Sequence, residues 1–130
     1  MAEQTTYGYL IDMVEHRYFR AVDEKNMDEV LDCFNDDAIF TIQTSQTVHT
    51  GREGIRTMFE NLFSNFEMTT HKHFHHVADP ENNRVASQFV VDFLDPDGKR
   101  FSYTNCNFWY LEGEKFQRVF VYMSDENVLV

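Results

Sequence analysis

The sequence predicts an α+β fold: a curved antiparallel sheet packed with three N-terminal helices around a pocket. Helical spacing of apolar residues is confined to the first half of the chain, and alternating segments joined by turn residues fill the second. Aromatic residues are plentiful, with 13 Phe, 6 Tyr and 1 Trp among 130 residues. Helices followed by a meander of strands segregate to one face of the sheet. Aromatic side chains bury enough area to build both a core and a pocket wall, and a chain of this length needs no staples to hold a core.

From Tyr7 to Asp23, Leu10, Ile11, Val14, Tyr18, Phe19 and Val22 recur at helical spacing. Asn26 follows a polar break and can cap a second helix, Met27 to Phe34, closed by Asn35-Asp36-Asp37. Ala38 to Gln43 alternates as a strand, and Thr47 to His49 returns beside it. Thr50-Gly51-Arg52-Glu53-Gly54 then opens a third helix with Ile55, Met58, Phe59, Leu62, Phe63 and Phe66 on one face. Strands are expected at Thr69–Ala78, Arg84–Phe93, Arg100–Leu111 and Phe116–Met123, with Pro-, Asn- and Gly-containing hairpin turns between them. Without repeats or linkers, residues 1–130 read as one domain. In the Arg100–Leu111 strand, Phe101, Tyr103 and Trp109 alternate with Phe108 and Tyr110. A strand apolar on both sides has both sides covered; the helices cover one, and a homodimer is the expected cover for the other.

The net charge of −11, from 22 acidic and 11 basic residues, repels phosphate backbones and anionic lipid, so neither nucleic acid nor membrane is an expected partner. No apolar run reaches the length of a membrane span, and Met1–Tyr9 lacks leader features, so a cytoplasmic location is expected. Cys33 and Cys106 form no CxxC pair and read as reduced and inert.

The run Arg17-Tyr18-Phe19-Arg20-Ala21-Val22-Asp23 and the later His49-Thr50-Gly51-Arg52-Glu53-Gly54-Ile55 resemble, in order and across nearly the whole chain, motifs of the SnoaL-like, nuclear-transport-factor-2-like superfamily. The resemblance implies a cone-shaped sheet of cystatin-like roll type. It is nearest to the lyases of that fold: scytalone dehydratase, bile-acid 7α-dehydratase and hexachlorocyclohexane dehydrochlorinase. That likeness implies an Asp at the end of helix one, matched by Asp23, facing a His on the first long strand, with Tyr18 matching a Tyr of the bile-acid enzyme. The His falls within Thr70-His71-Lys72-His73-Phe74-His75-His76. Counting from the following strand favours His71, and one more turn of the third helix favours His75. Alternation puts His71, His73 and His75 on one face and leaves the choice open.

A carboxylate bonded to an imidazole orients the ring and stabilises its charged form, which suits proton transfer to and from carbon. A phenol, Tyr18 or Tyr103, can hold a developing oxyanion. Asp23 with His71 or His75, and Tyr18, are therefore the catalytic candidates. His73, Tyr103, Asn105, Asn107, Trp109 and Arg118 are the substrate-binding candidates. Asn105 and Asn107 line either the cavity or the dimer interface, and Arg118 poses the same alternative. Four histidines in six residues invite a metal reading. Same-face neighbours ~7 Å apart strain one tetrahedral ion, and no carboxylate or Cys lies at ligand spacing, so no metal is expected. Without a Gly-rich phosphate loop no nucleotide cofactor is expected. The expected function is a cofactor-independent lyase or isomerase acting on a small apolar ring compound held in the cone. The alternatives are a non-catalytic binding or dimerising module of the same fold, or the small structural subunit of a ring-hydroxylating dioxygenase.

Overall fold

Thr6 accepts a hydrogen bond from the Tyr9 N–H (3.0 Å) and so opens the first helix of the computed structural model, which describes residues 5–130. The start of the Met1–Tyr9 stretch, read above for leader features, lies outside those residues. The helix runs through α1 (Tyr7–Asp12), a π-helical segment (Met13–Phe19) and α2 (Arg20–Asp23). The wide π turns depart from the uniform helix expected. They bring Met13, Val14, Tyr18 and Phe19 all to the buried side, and such π segments are frequent at functional sites.

Lys25, at φ 56, turns the chain, and Asn26 Oδ1 accepts from the Glu29 N–H (3.3 Å) to cap α3 (Met27–Asp32). This helix stops short of the expected Phe34. Phe34 instead starts β1 (Phe34–Ile42), so Asn35-Asp36-Asp37 belong to a strand. Tertiary pairing overrides the local turn signal: the Phe116 N–H donates to the Cys33 carbonyl (2.8 Å), and Phe34 pairs with Phe116 of β6 (Lys115–Tyr122). β2 (Thr47–Thr50) returns beside β1 and leads into α4 (Gly51–Asn65). α4 buries Ile55, Met58, Phe59 and Leu62. Lys25 Nζ closes its C-terminal end by donating to the Phe63 (2.9 Å) and Phe66 (2.6 Å) carbonyls, a cation at the negative pole of a helix.

β3 (Met68–Asp79), β4 (Arg84–Leu94), β5 (Arg100–Glu112) and β6 form the expected meander. The sheet has six strands in the order β2-β1-β6-β5-β4-β3. Every pairing is antiparallel except β1 with β6, which runs parallel because the chain reaches β6 only after α4 and three further strands. At one hairpin, Asp95 Oδ1 accepts from the N–H groups of Asp97 and Lys99 (both 2.9 Å) while Gly98 takes φ 86, the left-handed conformation glycine tolerates. The helices cover one face of the sheet, where Trp109, Phe34, Phe40, Phe59 and Phe116 are fully buried. No described helix is long and apolar enough to cross a membrane.

β3 contains a bulge that decides which histidines face inward. Lys72 pairs with Val90 and His75 with Gln88, so two residues of β3 oppose the single Phe89 of β4. His73 takes φ 56 there. An extra residue inverts the alternation. Thr69 and His71 point in before the bulge, and Phe74, His76 and Ala78 point in after it. His73 and His75 are exposed. The expectation that His71, His73 and His75 share a face fails for this reason.

Cys33 is buried, its thiol donates to the Glu29 carbonyl (3.4 Å), and burial pushes its pKa up to about 12; burial also raises Cys106. At pH 8 only about one Cys33 in ten thousand is thiolate, and the thiolate is the reactive form. Titration of the native protein with an aromatic disulfide should therefore modify Cys106 first; equal rates at both thiols would contradict this burial.

Candidate active site

Asp23 stands at the end of α2 with its side chain toward β3. All its partners come from that strand. Asp23 Oδ1 accepts from His71 Nδ1 at 2.6 Å, and Asp23 Oδ2 accepts from the His71 backbone N–H at 2.9 Å. Thr69 Oγ1 donates to Oδ1 at 3.5 Å. The side chains of His71 and Asp23 are 11% and 24% exposed. A carboxylate only accepts, so the shared proton resides on Nδ1, and the neutral ring offers Nε2 as its acceptor. Phe19 stacks on the imidazole (ring centres 4.4 Å, 29° apart), and Phe89 flanks it at 5.5 Å. The ring is thus fixed in tautomer, in tilt and in plane.

Two turns earlier the helix is fastened to the same strand in a matching way, from Glu15 in the π segment. His76 shares a 2.5 Å hydrogen bond with Ser87 Oγ through Nδ1, and its Nε2 lies 3.2 Å from Glu15 Oε1. Phe74 stacks between Phe19 (5.2 Å) and His76 (5.4 Å), so a column of four rings joins the two acid–imidazole contacts.

His71 opens onto a cavity of about 30 Å³, room for one or two waters. Tyr18, Phe19, Phe89, Asn105 and Asn107 line it, and Val128 and Leu129 close it from the C-terminal segment. That segment is pinned by His49 Nε2 on the Leu129 carbonyl (3.0 Å) and by Asn61 Nδ2 donating to the Val130 carbonyl (2.7 Å). Burial, with smaller contributions from Cys33 and Asp23, pushes the Tyr18 pKa far above the usual phenol value. Tyr18 therefore remains a neutral O–H donor and is no base.

The structure brings together Asp23, His71, Tyr18, Asn105 and Asn107, so the two asparagines face the cavity. It does not bring the other candidates there. His75 and His73 lie outside because of the bulge. Arg118 is exposed on the opposite face of β6, stacked over Phe120 at 4.7 Å, and cannot meet a carboxylate in the cavity. Tyr103 packs against Phe93 (5.1 Å), which lines the cavity, and Phe101 (5.7 Å), but is not itself part of the cavity wall. Trp109 lies one layer deeper, edge-on to Tyr18 and Phe19. Among the described residues no three His, Cys, Asp or Glu side chains gather as a metal site. The sequence reading missed Phe19, Phe89 and the C-terminal wall. The apolar Val128-Leu129 pair after Ser124-Asp125-Glu126-Asn127 was the available signal for the last.

Residues 16–119 match the SnoaL-like domain. The chain belongs to the SnoaL-like family. No curated protein sequence matches it. Among solved structures it is similar to a candidate polyketide cyclase from Xanthomonas campestris pv. campestris, with 16% identity over 88% of this chain and 90% of that one and a TM-score of 0.79. It is also similar to the epoxide hydrolase/cyclase-like enzyme SalBIII of pyran ring formation in the polyether salinomycin, with 22% identity over 90% and 92% and a TM-score of 0.78. A third is a ketosteroid isomerase-like-fold protein from Catenulispora acidiphila, with 15% identity over 85% and 84% and a TM-score of 0.76. These likenesses place this SnoaL-like chain in the ketosteroid isomerase-like, nuclear-transport-factor-2-like fold.

Proposed function

We propose that the chain is a cofactor-independent acid–base enzyme, a lyase or isomerase acting on a small, largely apolar ring compound. The 2.6 Å Asp23–His71 contact at the edge of an aromatic-lined cavity carries this reading. His71 Nε2 removes a proton from carbon beside a carbonyl, Asp23 stabilises the imidazolium that results, and the Tyr18 hydroxyl donates to the enolate oxygen. The imidazolium then returns its proton, either to a departing hydroxide, which leaves as water and gives elimination, or to another carbon, which gives isomerisation. The cyclase-like and isomerase-like neighbours support the same class of chemistry. Incubating the protein in D₂O with a panel of cyclic β-hydroxy ketones tests it: deuterium should enter the α-carbon, and the hydroxyl should be lost, faster than in buffer. A panel left unchanged would sink the reading. The competing reading, a non-catalytic dimerising module, draws on the ~30 Å³ of the cavity, smaller than any ring compound. It predicts that the same compounds are neither bound nor turned over.

A homodimer belongs to the proposal. On the sheet face away from the helices, Phe108 and Tyr122 are 38% and 46% exposed, and Arg84 and Arg118 lie over Tyr110 and Phe120. In a chain of net charge −11, the outward positions of β5 and β6 there carry a single acidic side chain, Glu112 at the end of β5. Such a patch is where two like-charged copies can meet. Sedimentation should show a dimer at micromolar concentration and a monomer for Phe108→Glu; a monomeric parent chain would refute it.

A further inference from the structure

We propose that residues 127–130 are a strap that fills the ligand's place in the cavity and swings out to admit it. The inference rests on the cavity being the ligand site, and not on the acid–base chemistry.

Val128 and Leu129 line the cavity. Apart from Met123, which directly follows β6, every other residue of the wall lies on a helix or a strand. With the strap in place the cavity measures about 30 Å³. An apolar cavity of about 150 Å³, the room left by truncating one buried leucine, takes benzene. The strap puts a leucine and a valine against this cavity, so withdrawing both opens room of that order. It does so without breaking a sheet ladder or a helix.

The strap is fastened in a way that lets it leave. Among the described residues no backbone–backbone hydrogen bond joins residues 125–130 to the rest of the fold. Side chains hold it instead. His49 Nε2 donates to the Leu129 carbonyl (3.0 Å), Asn61 Nδ2 to the Val130 carbonyl (2.7 Å), and Asn127 Nδ2 to Thr47 Oγ1 (3.5 Å). Each is a single hydrogen bond that water can replace at small net cost. Asn127 Oδ1 accepts from the Leu129 N–H (2.8 Å), which keeps the strap together as a unit. The fixed point is Ser124, whose N–H donates to Asn105 Oδ1 (3.3 Å) and whose Oγ accepts from the Thr104 N–H (3.0 Å). Asp125 and Glu126, both exposed, lie between that point and the strap and form the hinge. His49, marked in the sequence only as part of a motif, is thereby a latch.

A protein that is mostly strapped binds more weakly by the fraction that is open. Asn61 is exposed on α4, so Asn61→Ala removes one fastening and leaves the cavity wall and the Asp23–His71 pair intact. Methyl-labelled parent and variant proteins test the proposal. Without ligand, relaxation dispersion of the Val128 and Leu129 methyl groups should reveal a minor state, about three- to tenfold more populated in Asn61→Ala, the effect of one hydrogen bond. Cyclohexanone should bind the variant tighter by the same factor. At saturation both residues' methyl signals should leave the ring-shifted positions that the aromatic wall imposes and reach those of the minor state. Methyl signals that stay in place at saturation, an affinity that Asn61→Ala leaves unchanged or weakens, or no minor state in either protein would overturn the proposal. A minor state that grows in Asn61→Ala while cyclohexanone fails to bind supports the strap and counts against a ring compound as ligand. No turnover is read, so cyclic ketones bound without deuterium exchange would sink the acid–base reading and leave the strap standing.

Discussion

Asp23→Asn lowers turnover of a responsive substrate by about 10²- to 10⁴-fold, the scale of general acid–base catalysis and of a base held in the wrong tautomer. The amide can still accept from the His71 backbone N–H through its oxygen, so the geometry is largely kept. What is lost is the negative charge that stabilises the imidazolium and the acceptor that fixes the proton on Nδ1. The amide NH₂ can instead donate to Nδ1, which moves the ring proton to Nε2 and removes the base from the cavity side. Imidazole ¹⁵N shifts read the tautomer without any substrate. The parent chain should show a protonated Nδ1 in the neutral ring, and the variant a protonated Nε2. An unchanged rate in the variant, with the tautomer switched, would remove His71 from the mechanism.

Trp109→Ala costs about 3–5 kcal/mol of stability. The indole is 0% exposed and meets Tyr18, Phe19 and Phe116 at ring-centre distances of 6.1, 5.5 and 6.0 Å. These rings come from the π segment, β5 and β6, so the cavity left behind lies where three elements converge. Against a total of about 5–15 kcal/mol, that loss is about a fifth or more of the fold's stability. Trp109→Phe keeps much of the volume and removes a buried N–H that has no partner, so it should cost less than about 1.5 kcal/mol. Urea unfolding of the three proteins measures both. Equal losses for Ala and Phe would mean that the indole nitrogen, and not the packing, stabilises this region.

The fold and one half of the site were legible in the sequence. Helical spacing in α4 and alternation in β4 and β5 each followed one period throughout, so their faces could be read directly. Asp23 was legible only through likeness to a family motif. His71 could not be told from His75, because alternation was assumed to continue past a residue that takes a left-handed conformation, and nothing local marks a histidine for that role. Asn105, Asn107 and Trp109 were correctly placed on one face of β5, but which face is inward is set by the helices and not by the strand. The same holds for Arg118. Phe34 was assigned to a helix because its pairing with Phe116 joins residues far apart in sequence.

The bulge at His73 also acts as a length adjustment between two kinds of secondary structure. Glu15 and Asp23 are eight residues apart, a span of about 12 Å at the α-helical rise and somewhat less here, because Glu15–Phe19 lie in the wider π turns. Their partners His76 and His71 are five residues apart, which along a regular strand is about 16–17 Å and would also put them on opposite faces. Taking one residue out of the line shortens that span to about 13 Å and restores a common face. The strand span is thereby brought closer to the helix span, and both carboxylates meet an imidazole at once. A one-residue insertion or deletion on either side of the bulge would break that match at one end. The same change within it would trade curvature for a straight strand and strain the fit at both ends.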